Sequence, residues 1–570
     1  MASITKQRLG RHTYLFESVS FWDAVKKRPD NHKTKIGKID LLTNEPVYTQ
    51  EYLDRLSASG ASIEGMRLWD RTREGRVVLD GSIKGSAEIA NDVLASVKDF
   101  GSIYLMRELS EKIGLLGVLR EALPDVWNEV FTLANYLVSA DKPVMYCEDW
   151  VASHDGLECG SMSSQRISDL LVAFGEDERS RFYQAWHKLI RDKEYIALDI
   201  TSISSYSEGI LSCEWGYNRD GEDLPQVNLC LLFGETSRLP VYQTIYSGSL
   251  RDVSTLRSTI TEFIALTGDT EIMIVMDKGF YSRKNISMLL GEGDDGFLCR
   301  FLIAVPFTAL PPKLHIEEER HTIDRVANLI RTTSSPIRGV RSGALWDDLE
   351  LHAHVFYNPV KAVKERNDHF AYVASLRDIA IEDPGNRKHA AEFAKYLDIT
   401  VPDADDDTPV VGFRDDVIEK ELQTVGWFIL LSNHIEEPQA AYDVYRMKDV
   451  VEKGFLRYKS NLGLDRLRVH GDVRMQNKVF VAFIALIISS AIQNTMLAKN
   501  LFKSMTFDKL LITLDKIKTA RIDGKAVLRP LTKEQSYILS VFEIPEPDPS
   551  TLRPVQRKKR GRKPKGVSAE

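Results

Sequence analysis

The chain has 570 residues, 43% hydrophobic and 28% charged, the make-up of a globular protein long enough for several cores. This excludes collagen, coiled-coil and low-complexity classes, and five widely spaced cysteines (Cys147, Cys159, Cys213, Cys230, Cys299) fit neither a disulfide framework nor a zinc knuckle. The formal net charge of −7 conceals patches: residues 1–38 carry nine Lys or Arg against three Asp or Glu, and residues 553–565 carry eight basic residues and no acid, so the total does not exclude nucleic acid as a partner.

The start, MASITKQRLGRHTYLF, lacks the apolar stretch of a secretory leader. TYLFESVSFWD and KTKIGKIDLLTNEPVYT predict strands, the second around a turn at Thr43, Asn44 and Pro46. Residues 1–65 are therefore expected to form a small basic domain with a possible DNA contact. Residues 66–193 are expected to be mainly helical, from apolar residues at helical spacing in YLMRELSEKIGLLGVLREALPDVWNEVFTLANYLV and in SSQRISDLLVAFGEDERSRFYQAWHKLIRDK. In the second run Ser163 or Ser164 is a candidate helix cap and Gly175 a candidate terminator. SSQRISDLLVAF reads either as a DNA-reading helix or as a plain amphipathic one.

From residue 194 the texture changes. YIALDITSIS, VNLCLLFGE and LPVYQTIYSG predict three strands, residues 252–266 a helix, and EIMIVMDKGFYS a further strand. That order begins a ribonuclease-H-like fold, an α/β core with a mixed five-stranded sheet. Residues 194–284 are taken as its first part and 421–500 as its second. Between them, 285–420 is expected to be a β-rich insertion with strand-like pieces RFLIAVPF, LELHAHVFY and HFAYVASL and helical pieces between them, including NRKHAAEFAKYL, while VGWFILLS is a candidate last strand of the catalytic sheet. PQAAYDVYRMKDVVEKGFLRYKSNL predicts one helix starting at Pro438. VFVAFIALIISSAI, residues 479–492, is shorter than the roughly 20 residues a membrane helix needs and reads as a buried helix. A helical region at 501–550 and a basic disordered tail at 551–570 complete the chain.

Asp199 follows the apolar run YIAL and Asp277 the apolar run IMIVM. Acids at the ends of buried strands are costly unless compensated, and strand ends are where open α/β sheets bind ligands. Each could instead cap a strand or pair with a base. Glu452 lies on the helix beginning at Pro438. Tyr445, Glu452 and Lys459 are seven residues apart, two turns each, and Lys448 lies one turn before Glu452, so all are expected on one side. By spacing alone, a solvated helix with Lys/Glu pairs is the better explanation, because such pairs are common.

Three stretches in order, LDITSISSYSEG, VMDKGFYS and Tyr445-(2)-Lys448-(3)-Glu452-(6)-Lys459, resemble the DDE transposases of bacterial and archaeal insertion sequences, in the IS4-like group and its IS1634-family branch. The group's usual residue at position 448 is arginine, whose bidentate fork a lysine cannot reproduce. The resemblance continues through WDAVKKRPDNHKTKIGKIDLLTNE, SSQRISDLL, SGSLRDVSTL and KSNLGLDRLRVHGDVRMQNKVFVAFIAL.

It implies a DNA transposase that binds terminal inverted repeats, cleaves phosphodiesters and transfers strands by cut-and-paste. Asp199, Asp277 and Glu452 would be the catalytic acids and metal ligands. They would hold two Mg²⁺ ions (Mn²⁺ substituting), with Asp199 bridging. Tyr445, Lys448, Lys459, Arg474 and Lys478 would contact DNA, and Arg560 and Arg562 lie in a tail similar to an AT-hook. The partners implied are double-stranded terminal-repeat and target DNA and a second copy in a synaptic homodimer, with no membrane, in the cytoplasm at the nucleoid of a bacterium or archaeon. Competing readings are a metal-dependent nuclease without strand transfer, a domesticated DNA-binding protein, and a carbohydrate- or protein-binding module. The last leaves the three motifs unexplained.

Overall fold

The computed structural model describes residues 2–9, 12–23, 27–39, 45–63, 65–69, 77–78, 96–140, 142–190, 194–269, 271–292, 297–306, 316–331, 336–346, 349–400, 409–522 and 525–549. The chain divides into two compact units. One comprises residues 1–104, 152–156 and 509–570, and the other 105–151 and 157–508.

In the first unit, strands Ala2–Leu9, His12–Asp23, Arg28–Ile39, Pro46–Tyr48, Arg67–Trp69 and Val77–Val78 form one sheet. Its first three strands are antiparallel neighbours. Leu15, Ile36 and Tyr52, the last from helix Gln50–Ala58, make its small core. The strands expected in TYLFESVSFWD and KTKIGKID are there. Ala2–Leu9 was not foreseen, because its polar residues mask the alternation. Separately, Lys98–Asp99, Lys518–Ile522 and Lys525–Leu528 form a three-stranded sheet.

The second unit is built on one eight-stranded sheet. In chain order its strands are β1 Tyr195–Ser204, β2 Gln226–Gly234, β3 Pro240–Ser247, β4 Met273–Met276, β5 Arg300–Val305, β6 Arg338–Trp346, β7 Leu349–Tyr357 and β8 Trp427–Ser432. The spatial order is β3-β2-β1-β4-β5-β8-β7-β6. β1, β2 and β3 pair antiparallel, β4 and β5 run parallel to β1, and β8, β7 and β6 continue antiparallel. The first five stand in ribonuclease-H-like order, but the fifth, β5, is RFLIAVPF, which the sequence placed in the insertion, and it joins the core because it pairs parallel with β4. The sheet does not stop at five because VGWFILLS, as β8, pairs with the edge of β5 and brings hairpin β6–β7 with it. Every residue of β2 is buried, as a strand covered on both faces must be.

Its principal helices are α1 Trp127–Ser139, α2 Glu176–Ile190, α3 Asp252–Thr267, α4 Pro359–Glu382, α5 Pro438–Arg446, α6 Asp449–Leu456 and α7 Asp472–Ala498. SSQRISDLL forms a short helix, Ser164–Leu170, capped by Ser163, whose hydroxyl accepts from the Arg166 N–H. It ends before Gly175, which instead immediately precedes α2. HFAYVASL is helix, not strand: it lies inside α4, which Pro359 starts and Asn358 caps. Val373, Leu376 and Ala380, at helical spacing, bury against Phe393 and Ile418, so the expected β-rich insertion is partly helical.

α7 is longer than its apolar heart suggested. Among the described residues it is the one helix long and apolar enough to cross a membrane, and 83% of its apolar window is buried inside the protein. It packs on α1 and β3. Phe480 is fully buried against the rings of Phe174, Phe182 and Tyr183, with centroids 5.1–5.8 Å away. Phe480→Ala should lower the unfolding free energy by about 3–5 kcal/mol, the cost of an aromatic-sized cavity, read by urea denaturation. A loss below about 1 kcal/mol would show that this face is not part of the core.

Candidate active site: three carboxylates around a lysine

β1 and β4 lie side by side, with Leu198 level with Met276. The next residues, Asp199 and Asp277, therefore come level where β4 ends. Asp199 does not end its strand as expected. β1 continues to Ser204 because Thr201, Ser202 and Ile203 still pair with β2. Asp277 does leave its strand: it caps the turn Lys278–Phe280, its carboxylate accepting from the Lys278 N–H at 2.8 Å. A Cβ on Gly279 would stand 2.9 Å from Asp252 Oδ2 at the start of α3, so a residue without a side chain lets this turn lie close to the helix.

Glu452 comes from α6, which packs on β1 and β2. A Cβ at Gly454 would stand 3.2 Å from Phe233 and 3.4 Å from Leu231, so glycine sets how closely the helix approaches β2. Beyond α6, the Arg457 guanidinium donates to Ser490 Oγ of α7 at 2.6 Å. Tyr458 donates to Gln243, which in turn donates to the Val479 carbonyl. The segment carrying Glu452 is thus tied to the most buried helix of the unit.

The predicted single helix from Pro438 is broken. α5 ends at Arg446, α6 begins at Asp449, and residues Arg457–Asn461 form a widened π turn. Seven-residue spacing therefore does not keep Tyr445, Glu452 and Lys459 on one face. Tyr445 donates to Asp277 Oδ1 at 3.3 Å, whereas the Lys459 ammonium donates to both carboxylate oxygens of Asp220, at 2.6 and 2.8 Å.

Lys448, at the break, carries the feature that no spacing announced. Its Nζ lies 3.1 Å from Glu452 Oε1, 3.5 Å from Asp277 Oδ2 and 3.6 Å from Asp199 Oδ2. Its side chain is 7% exposed, against 59% for Glu452, so the cation is enclosed while the acids open outward. The expected role of Lys448 was a phosphate contact; the structure places its ammonium among the acids instead. Burial pulls the Lys448 ammonium down, but Asp199 and Asp277 outweigh it and hold the group above its ordinary value. Burial also raises the Tyr445 hydroxyl, with Asp277 adding to the rise.

Two other expected DNA contacts are placed away from the acids. Lys478 is buried and donates to the Leu467 carbonyl at 2.6 Å. Burial lowers it to about 8, although Val473 and Gln476 in the same first turns of α7 are exposed. Arg474 is half-buried and donates to Ser168 Oγ at 3.2 Å. Arg560 and Arg562 lie outside the described residues. Sequence reasoning missed Lys361 and Arg446, which with Tyr445, Lys448 and Glu452 line an open groove of 280 Å³. It also gave no role to the aromatic residues of the loop after β1, where Tyr206, Trp215 and Tyr217 stand 63–81% exposed. The aromatic density of SSYSEGILSCEWGY was the available signal.

The donors suit a hard divalent cation, which takes carboxylate and water oxygens. Three carboxylate oxygens face one point where a positive charge already sits. Among the described residues no three His, Cys, Asp or Glu side chains stand at the spacing of a formed metal site. Burial raises the Asp199 carboxyl to about 6, with Lys448 and the Ile200 N–H pulling against it and Asp277 and Glu452 adding to the rise. In metal-free protein this favours folding fully below the unfolded value of 3.8, and the contribution is lost as pH rises through about 6. In chelator, Asp199→Asn should gain stability relative to wild type by on the order of 1–3 kcal/mol between pH 4 and 7, by urea denaturation at each pH. Parallel pH profiles would refute a raised Asp199.

Residues 191–488 match the family described as the transposase DDE domain. The match covers more than half the chain and includes all three acids. No curated protein matches. A solved structure, the cryo-EM structure of the piggyBac transposase synaptic complex with hairpin DNA, is similar at a TM-score of 0.34 and 10% identity over 68% of this chain and 70% of that one, too distant to carry an argument. A mixed sheet in ribonuclease-H-like order, with acids level on two neighbouring strands and a third on the helix packed against them, is in keeping with the family match: the chain belongs to the DDE transposase family, whose members are nucleotidyl-transfer enzymes.

Proposed function

We propose that this protein is the transposase of an insertion sequence in the IS4-like group, IS1634-family branch. It binds the element's terminal inverted repeats, hydrolyses the phosphodiesters at the ends and joins the freed 3′ ends to target DNA. The observation that carries this reading is the meeting of Asp199, Asp277 and Glu452 at one point, within the span matched by the DDE domain.

Asp199, on the strand in contact with both β4 and α6, would hold the Mg²⁺ ions together with Asp277 and Glu452. Bound there, divalent ions supply activation of the attacking oxygen and stabilisation of the leaving oxygen. The chain's own groups do the rest. Tyr445, hydrogen-bonded to Asp277, orients that carboxylate and, from the groove wall, positions the DNA backbone or a terminal base. Lys361 and Arg446 on the groove wall attract the phosphate backbone. Lys459 reaches DNA only by leaving Asp220. The work is done at two DNA ends, which calls for a homodimer in the synaptic complex. Its place is at the nucleoid of a bacterium or archaeon.

The test uses labelled duplexes carrying the terminal repeats read from the DNA flanking the gene. Wild type with Mg²⁺ should cleave and join them. Asp199→Asn, Asp277→Asn and Glu452→Gln should each bind the duplex yet lose cleavage by on the order of 100-fold or more, the scale on which losing one electrostatic stabiliser of a transition state acts. Normal cleavage by any of the three would remove that residue from the site. Cleavage without joining would identify a nuclease.

A further inference from the structure

Cations near the triad differ in their partners. Lys459 is paired with Asp220, Lys453 with Asp449 and Lys361 with Glu365. Lys448 faces all three acids from 3.1–3.6 Å and is almost fully enclosed. Three ionised carboxylates in a partly desolvated site repel one another, and a single ammonium among them relieves much of that repulsion. A divalent ion taken up by these carboxylates would stand a few ångströms from the ammonium and be repelled by it, so metal loading is favoured when the ammonium moves away.

A displaced ammonium needs another anion, because leaving it buried and unpaired is costly. Asp449, the other acid on the groove beside it, is already paired with Lys453. The open groove beside Lys448, with Lys361 and Arg446 on its wall, is where a DNA phosphate would arrive. Lysine suits such a move, being a point charge on a flexible four-carbon stem, whereas arginine is a planar fork.

We propose that Lys448 is a built-in counter-ion of the acid triad: it keeps the divalent-metal site closed in the DNA-free protein and yields it when a DNA phosphate takes the ammonium. This rests on the reading of the triad as a metal site. In this role Lys448 is a positioning residue that acts through the three acids, and it couples metal loading to DNA binding without any further domain.

The experiment is Mn²⁺ titration of the full chain, following free ion by electron paramagnetic resonance. It uses wild type, Lys448→Met, Lys448→Gln and Lys448→Arg, each with and without Asp199→Asn and with and without the terminal-repeat duplex. Without DNA, the Met and Gln variants should bind Mn²⁺ at least about tenfold more tightly than wild type, as expected when a unit charge a few ångströms away is removed. Lys448→Arg, which keeps the charge, should stay within about threefold of wild type. The duplex should tighten Mn²⁺ binding by wild type more than by the Met or Gln variant. Circular dichroism establishes folding, and whichever neutral variant is folded carries the comparison. Neutral variants that bind no more tightly than wild type, through a site lost on Asp199→Asn, would overturn the counter-ion while leaving the metal site intact. Mn²⁺ binding indifferent to Asp199→Asn in every protein would overturn the metal reading itself, and the counter-ion with it.

Discussion

Three carboxylates brought to one point repel each other, and the centre of this protein is organised around that repulsion. β1 and β4 deliver two of the acids at the same level, α6 brings the third across, and the Lys448 ammonium stands within 3.6 Å of all of them. An uncompensated cluster of this kind would oppose folding. A fully neutralised one would offer nothing to an incoming cation. One positive charge against three negative ones leaves the site folded and still attractive to divalent ions.

Holding those acids in register demands a stiff frame. The parallel pairing of β1 with β4 fixes two of them through backbone hydrogen bonds, which side-chain motion does not disturb. The third depends on packing. Gly454 lets α6 settle near Phe233 and Leu231, and the links from Arg457 to Ser490 and from Tyr458 through Gln243 to Val479 tie the helix end to α7. α7 is apolar enough to resemble a membrane span, yet it serves as the axis of the unit because its surroundings are equally apolar. The acid cluster thus borrows rigidity from the buried core around α7.

The insertion between Asp277 and Glu452 shows how a core can be extended without being rebuilt. β8 pairs with β5, which would otherwise be the sheet edge, and hairpin β6–β7 adds to β8. An exposed edge invites unwanted pairing, and the extension moves it away from the strands that carry the acids. Tyr445 packs beside the cluster of Phe356, Phe428 and Tyr442, so the inserted strands also support a group at the site.

The sequence by itself determined the strand order at the start of the core and the buried helix, because these follow from local apolar runs, and its resemblance to a family singled out the three acids, which residue type and spacing alone left open. Asp199 and Asp277 were visible since an acid next to a buried strand is conspicuous. HFAYVASL misled because a short apolar run has no period long enough to separate strand from helix, and only its neighbours in α4 decide. Helix phase misled at Lys459, since a break at residues 447–448 and a π turn depend on how α5 and α6 dock. The enclosure of Lys448 among three acids, and of Lys478 in the core, was decided by the tertiary structure alone. Both are lysines in polar-looking stretches, and whether a lysine meets solvent, a phosphate or three carboxylates depends on what distant strands and helices place around it, which no window of local sequence contains.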